Sequence, residues 1–573
     1  MKYWQSYWQK YRKHFAGAAV FVMLEALCDL LQPTIMASII DVGVANRDIN
    51  YVLYMGGIML LVTAVGALAA TARNIISSTV SQRVGTELRS QVYEQIQILP
   101  LAAVDKFDRA TLVTRLTNDV TQIQSLVNGM MRISLKAPVL CIGGLIMAVS
   151  LNPRLGSVLA IVVPVVGVLI FINMRVGYPL FLQVQEALDQ LNSAVRETIA
   201  GVRVVRAFNR FIYEQTKFRA VNTHFQERAV AAMRTMTVFG PSIALTMNLG
   251  VVAVLWLGGR GVHNGQIQVG HIIAFINYMT QILYSLVIIS LVFNVFVRAR
   301  VSSRRIGEVL AIEGVPDEFA KEEENIFFQG RIDFERVSFA YDRAEPVLEN
   351  ISLTCLPGET IGIIGPTGAG KSSLVQLIPR LYEPNAGMVK LDGQDIRRLS
   401  PRQLREKMAI VPQKALLFSG SILDNLHWGK AEATQGEIEA AARIAQAHEF
   451  IMEFPEGYQT RIGQGGVNLS GGQKQRLAIA RALVRKPAIL ILDDSTSAVD
   501  VDTEARIKQA LQSYTAGLTC FIIAQRITSV MDADKIVVLD GGKLVGTGQH
   551  EDLLASCAVY REICQSQLGK EGC

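Results

Sequence analysis

The chain has 573 residues, half of them hydrophobic and only 18% charged, with a mean hydropathy of +0.29. That length calls for several domains, and that apolar balance excludes an ordinary soluble enzyme. The net charge of +6 is a modest basic excess, which the cytoplasmic loops of a membrane protein explain better than nucleic acid binding does.

Met1 to His14 carries Tyr3, Trp4, Tyr7, Trp8 and Tyr11 among four cations, the composition expected of a short helix lying on the inner membrane surface. The apolar run behind it is too long for a cleaved signal peptide. Apolar segments recur near 15–40, 52–75, 126–150, 155–174, 238–262 and 267–297. Each can cross a hydrocarbon core roughly 30 Å thick. Short links alternate with two long ones, about 76–125 and 175–237, that are rich in arginine and lysine and keep helical periodicity. By the positive-inside rule the long links and both termini are cytoplasmic, and Arg73 is counted with the first of them. The seven cysteines show no metal spacing, which fits a reduced setting without a disulfide framework.

Residues 311–330 are acidic and irregular and read as a linker. From 331 to 573, short apolar runs (Ile361–Ile364, Met408–Val411, Ile489–Leu492, Cys520–Ile523, Ile536–Leu539) alternate with helical stretches. Such runs are what the strands of a parallel sheet covered on both faces look like. After the first of them stands Gly365-Pro366-Thr367-Gly368-Ala369-Gly370-Lys371-Ser372-Ser373, a full match to the phosphate-binding loop G-x-x-x-x-G-K-[ST] in its strand–loop–helix setting. Its backbone N–H groups suit phosphate oxygens, Lys371 the β/γ-phosphates, and the Ser372 hydroxyl Mg²⁺. Leu469-Ser470-Gly471-Gly472-Gln473 opens a basic helix, a second N-terminus suited to an anion, and Ile489–Leu492 runs into the carboxylate of Asp493.

Together these motifs resemble the ATP-binding cassette (ABC) superfamily, and the resemblance spans nearly the whole chain. It implies an all-α transmembrane domain of six helices (1–310), a linker (311–330) and an α/β P-loop nucleotide-binding domain (331–573), the type IV ABC exporter fold. The expected activity is an ATPase coupled to transport, with ATP and Mg²⁺, in a bacterial inner membrane. Carried onto this sequence, Tyr341 would stack on adenine and Thr367–Ser373 would hold the phosphates. Ser372, Gln413 and Asp493 would serve the metal. Ser470–Gln473 would be the signature offered to a partner's ATP, and Asp500 the D-loop acid. Leu101–Arg109 and Val204–Phe211 resemble coupling helices.

Two positions depart from the family pattern. The residue after Asp493, usually a glutamate that polarises the attacking water, is Asp494; the switch histidine is Gln525. Asparate is one methylene short, about 1.5 Å of reach, and glutamine carries no imidazole charge. With an intact signature beside them, these changes resemble the degenerate half of a heterodimeric multidrug exporter, against the alternative of a slow homodimer. Amphipathic or lipid-like cargo is expected, with metal-chelate import or a regulatory, channel-like role as alternatives. Glu25 and Asp29 lie one turn apart within the first span. They are candidates for a polar cavity, or for an ion pair with Lys136 or Arg132.

Overall fold

The computed structural model describes residues 2–312, 328–341, 345–514 and 517–569. The chain divides into two compact units: Met1–Ile96 with Ala110–Ala311, and Gln97–Arg109 with Ile312–Cys573.

The first unit contains six helices long and apolar enough to cross a membrane: Ser6–Val44, Ile49–Ile98, Ala110–Leu151, Pro153–Ala200, Phe211–His263 and Val269–Leu310. The second has 50 residues. At about 1.5 Å per residue it is about 75 Å long, over twice a hydrocarbon core, which is why the charged links keep helical periodicity. Close approach of the first and third spans depends on Gly143, where a Cβ would sit 2.5 Å from Leu30 Cδ1. The fully buried Tyr278 of the sixth span donates to the Leu30 carbonyl at 2.5 Å, satisfying its hydroxyl within an apolar core.

Two expectations are corrected here. Met1–His14 forms no separate surface helix, since one helix runs through Lys2–Ser38. The Tyr7 hydroxyl donates to Gln91 at 2.9 Å, Tyr11 donates to Glu87 at 2.8 Å, and Lys10 pairs with Glu87 at 2.6 Å. The aromatic–basic segment thus packs against the extension of the second span. Arg73, counted with the first long link, is likewise not a solvent-exposed charge. It is buried, 2.7 Å from Glu25, which also meets Lys136 at 2.5 Å, while Lys136 reaches Asp29 at 2.9 Å. A buried carboxylate persists because two cations compensate its lost hydration. Arg73→Met is therefore expected to lower the thermal midpoint of the detergent-purified protein by several degrees, a loss of about 2 kcal/mol, since Lys136 still pairs with Glu25. Adding Glu25→Gln should recover much of it. A single variant as stable as the parent would show the pair to be energetically idle.

In the second unit a six-stranded sheet has the order Lys543–Gly548, Lys535–Asp540, Thr360–Ile364, Thr519–Ile523, Ile489–Asp493, Met408–Val411. All its pairings are parallel except the antiparallel edge strand Lys543–Gly548. All five apolar runs picked out in the sequence lie in this sheet. A second, antiparallel sheet (Leu348–Cys355, Ile332–Phe339, Ala386–Leu391, Gln394–Asp395) packs over it, with Phe334, Val337, Leu374, Ile491 and Phe521 in the shared core. Register places the site: Ile523 stands opposite Asp493 on one side and Ile363 on the other. The carboxyl ends of three strands therefore open at one edge, where ligands of open α/β sheets bind. Residues 313–327 of the expected linker lie outside the described residues. Among the described residues, Cys28, Cys141, Cys355, Cys520 and Cys557 are free cysteines.

Candidate nucleotide site

The phosphate loop joins the strand Thr360–Ile364 to the helix Lys371–Leu377. Gly365 has a φ of 155°, and a Cβ there would lie 2.0 Å from the Leu539 carbonyl oxygen, so only glycine lets the loop leave the sheet. Gly370 caps the helix at φ 90°. Lys371 curls back over the loop, its Nζ donating to the carbonyls of Gly365 and Pro366 at 2.8 Å each. Burial holds its pKa below the usual lysine value, although Asp494 and Asp493 oppose that shift.

Around the loop the structure gathers the predicted residues. The Ser372 hydroxyl donates to Asp493 Oδ1 at 2.9 Å. Asp493 is buried, which raises its pKa; the Ser372 hydrogen bond and Lys371 oppose the rise, and the charge of Asp494 adds to it. Asp494 sits in the left-handed region at φ 48°, strained by about 1–2 kcal/mol. Its N–H donates to the Ile523 carbonyl at 2.9 Å, which fixes that turn. Two amides then meet on a single oxygen: Gln413 Nε2 donates to Asp494 Oδ2 at 3.1 Å and Gln525 Nε2 at 2.9 Å. The Tyr341 ring stands edge-on to Phe339 and Tyr382, and its hydroxyl lies 3.0 Å from Ser373 Oγ. This anchors the expected adenine platform to the first turn of the loop helix.

The expected signature, Ser470–Gln473, forms a separate construction. Ser470 caps the helix Gly471–Val484 in a capping box, its Oγ accepting from Gln473 N at 3.2 Å while Gln473 Oε1 accepts from Ser470 N at 2.9 Å. Ser470 and Gly471 are exposed, so the positive end of this helix faces outward. Among the described residues, no hydrogen bond joins the signature to the phosphate loop of the same chain.

Residues 15–286 match the ABC transporter transmembrane region family, and residues 348–497 match the ABC transporter family. An uncharacterized ABC transporter ATP-binding protein of Bacillus subtilis, YfiB, is 40% identical over 561 residues, 97% of each chain. The chain belongs to the ABC transporter family. A fatty acid ABC transporter ATP-binding/permease protein of Mycobacterium tuberculosis is 35% identical over 486 residues, 85% of this chain and 76% of that one. A solved bacterial Atm1-family ABC exporter with ATP bound superposes with a TM-score of 0.81 at 25% identity, covering 97% of this chain and 98% of that one. The protein is thus an ABC exporter half-transporter, a multi-pass membrane protein whose cytoplasmic ATPase domain couples nucleotide to transport.

In this ABC exporter half, Ser372, Asp493 and Gln413 offer hydroxyl, carboxylate and amide oxygens, the hard donor set that suits Mg²⁺. Ser372 and Gln413 would hold the ion and Asp493 its water; when bound, Mg²⁺ neutralises phosphate charge. Sequence reasoning missed two polar side chains that brace the site. The buried Gln475 donates to Ser497 Oγ at 3.2 Å and accepts from Ala498 N at 2.9 Å, tying the signature helix to the loop before Asp500. Glu504 accepts from Thr496 and Ser529 at 2.9 and 2.8 Å and from Arg526, next to Gln525, at 3.1 Å. Both look like solvated helix positions in the sequence, and only their long-range partners mark them out. Asp500 accepts from Thr503 N at 2.9 Å and so caps the following helix. In the membrane unit Glu25 is enclosed by Arg73 and Lys136 and does not line the neighbouring cavity, whereas Asp29 does.

Proposed function

We propose that this chain is the degenerate-site half of a heterodimeric exporter of amphipathic compounds. One observation carries the degenerate-site reading: Gln413 and Gln525 both donate to Asp494 Oδ2. A general base must come within about 2.6–3.2 Å of the water it activates. Asp494 is a methylene shorter than the glutamate usual there, and the oxygen that receives both amides has its two lone pairs committed. Gln525 can hydrogen-bond a phosphate but cannot carry a proton from it. ATP held by Tyr341, Thr367–Ser373 and Mg²⁺ then acts chiefly as a clamp. The signature Ser470–Gln473, capped and exposed, meets the ATP of a competent partner.

A partner is supported by the second coupling segment, where Val204, Phe208 and Ile212 are exposed around the short helix Val202–Ala207. The first, Leu101–Lys106, belongs instead to this chain's own nucleotide-binding unit, with the Tyr382 hydroxyl donating to Asp105. Amphipathic cargo agrees with the name of the fatty acid transporter among the relatives. The test is transport by inside-out vesicles carrying this chain with its partner half-transporter. ATP should drive accumulation of an amphipathic dye, and Asp493→Ala in this chain together with loss of the matching carboxylate in the partner should stop it. ATP-driven loss of a metal chelate from such vesicles, without dye uptake, would mean import.

A further inference from the structure

The membrane unit carries an open-sided cavity of about 570 Å³ among its first, second, third and sixth spans. Its polar lining includes Asp29, Arg73, Arg132, Lys136 and Gln281, and its apolar wall runs along Leu140, Ile288 and Val292. The charges do not cancel. Glu25 and Asp29 are taken up by Arg73 and Lys136, whereas Arg132 has no carboxylate within ion-pair distance among the described residues. Arg73 turns only part of its guanidinium to Glu25. Its side chain is 8% exposed, yet its Nε lacks a hydrogen-bond partner. The rest of that guanidinium is engaged within the chain, Nη1 donating to the Arg132 carbonyl and Nη2 to Asn74 Oδ1, both at 3.2 Å, so Arg132 is the lining cation left for an acceptor from outside the chain.

Depth adds a second constraint. The breaks after Val44 and at Asn152 lie at the ends of the spans opposite the long charged links. Counting back from them at about 1.5 Å per residue puts Lys136 and Asp29 about 24 Å in and Arg132 about 30 Å in, near the cytoplasmic edge of a core roughly 30 Å thick. A cation at that level sits where lipid headgroups begin, with apolar wall beside it.

We infer that this cavity takes an amphipathic anion, seating an acidic head, carboxylate or phosphate, on Arg132 and its hydrocarbon against Leu140, Ile288 and Val292. This rests on the exporter reading and narrows its substrate class: the two carboxylates noticed in the sequence point toward cationic cargo, but their partners reverse the sign.

The experiment is equilibrium binding to the full-length chain in phosphatidylcholine nanodiscs, without nucleotide, by displacement of a fluorescent fatty acid. The competitors are dodecanoate, its methyl ester, dodecyl phosphate and dodecyl trimethylammonium. A charge-assisted contact predicts that at least one of the two anions binds about tenfold or more tightly than the ester and the ammonium. Carboxylate preferred over phosphate marks a fatty-acid-like head, and the reverse marks a phosphate-headed lipid. Arg132→Glu should abolish the preference and Arg132→Lys should retain most of it. The ligand series on the unaltered chain is decisive even if a variant folds poorly. Ester or ammonium binding as tightly as both anions, or a folded Arg132→Glu chain that keeps the anion preference, overturns the inference. Binding is read without transport, so vesicles that fail to export would sink the functional proposal alone; neutral or cationic binding with intact export would sink only this one.

Discussion

Purified alone and reconstituted, this chain is expected to bind ATP while turning over far less than once per second. Working enzymes typically run at about 1–10³ s⁻¹. Binding needs only the phosphate loop, and that is fully assembled: the glycine turn at Gly365, the helix N-terminus at Lys371 and the Ser372–Asp493 hydrogen bond. Turnover needs a base aimed at water, and Asp494 is held back by its length and by two amides on one oxygen. A misplacement of about 1 Å can cost on the order of 100-fold. Lys371→Ala serves as the control for binding. Removing a charge-assisted phosphate contact should weaken ATP affinity by about tenfold to a hundredfold. Nucleotide affinity and phosphate release, measured on one preparation, separate the two properties. Several turnovers per second from the isolated chain would mean that Asp494 is an adequate base and that the site is not degenerate.

The reason this pocket was legible lies in its chemistry. A loop that cradles phosphates demands glycines at fixed offsets, and Gly365, Gly368 and Gly370 all adopt positive φ. Strands buried on both faces are written as apolar runs, so Ile489–Leu492 and Cys520–Ile523 could be placed, and with them Asp493, Asp494 and Gln525. The antiparallel sheet was not legible. Ile332–Phe339 carries register shifts and a left-handed Arg336, which break the alternation that a half-buried strand would otherwise show. Arg73 was misplaced for a different reason. Hydropathy and charge counts are local sums, whereas its burial depends on Glu25, a residue of another span. The same holds for Gln475 and Glu504, whose roles exist only through distant partners.

The proposed asymmetry between the two nucleotide sites has the sharpest consequence for mutation. In a head-to-tail pair this chain gives its signature to one ATP and its phosphate loop to the other. Gly471→Ala should cut steady-state ATPase activity of the assembled complex by about 10²–10³, because contacts aimed at developing phosphate charge are worth roughly 3–4 kcal/mol. The fold tolerates that methyl group: a Cβ on Gly471 meets only Ala498 Cβ, at an ordinary 3.4 Å. Ser470→Ala is a less clean probe, since it also removes the helix cap, worth about 1 kcal/mol of stability. Asp494→Ala should do far less, because on the degenerate-site proposal it frees two amides in a site that hydrolyses slowly. The paired change Asp494→Glu with Gln525→His tests the same point in reverse. It restores the longer carboxylate and an imidazole, and should raise turnover where the partner's signature supports chemistry at this site. All variants are made in this chain only, with the partner unaltered, and phosphate release is followed under saturating ATP. Equal losses from Gly471→Ala and Asp494→Ala would make the two sites equivalent, and the heterodimer reading would fall with them.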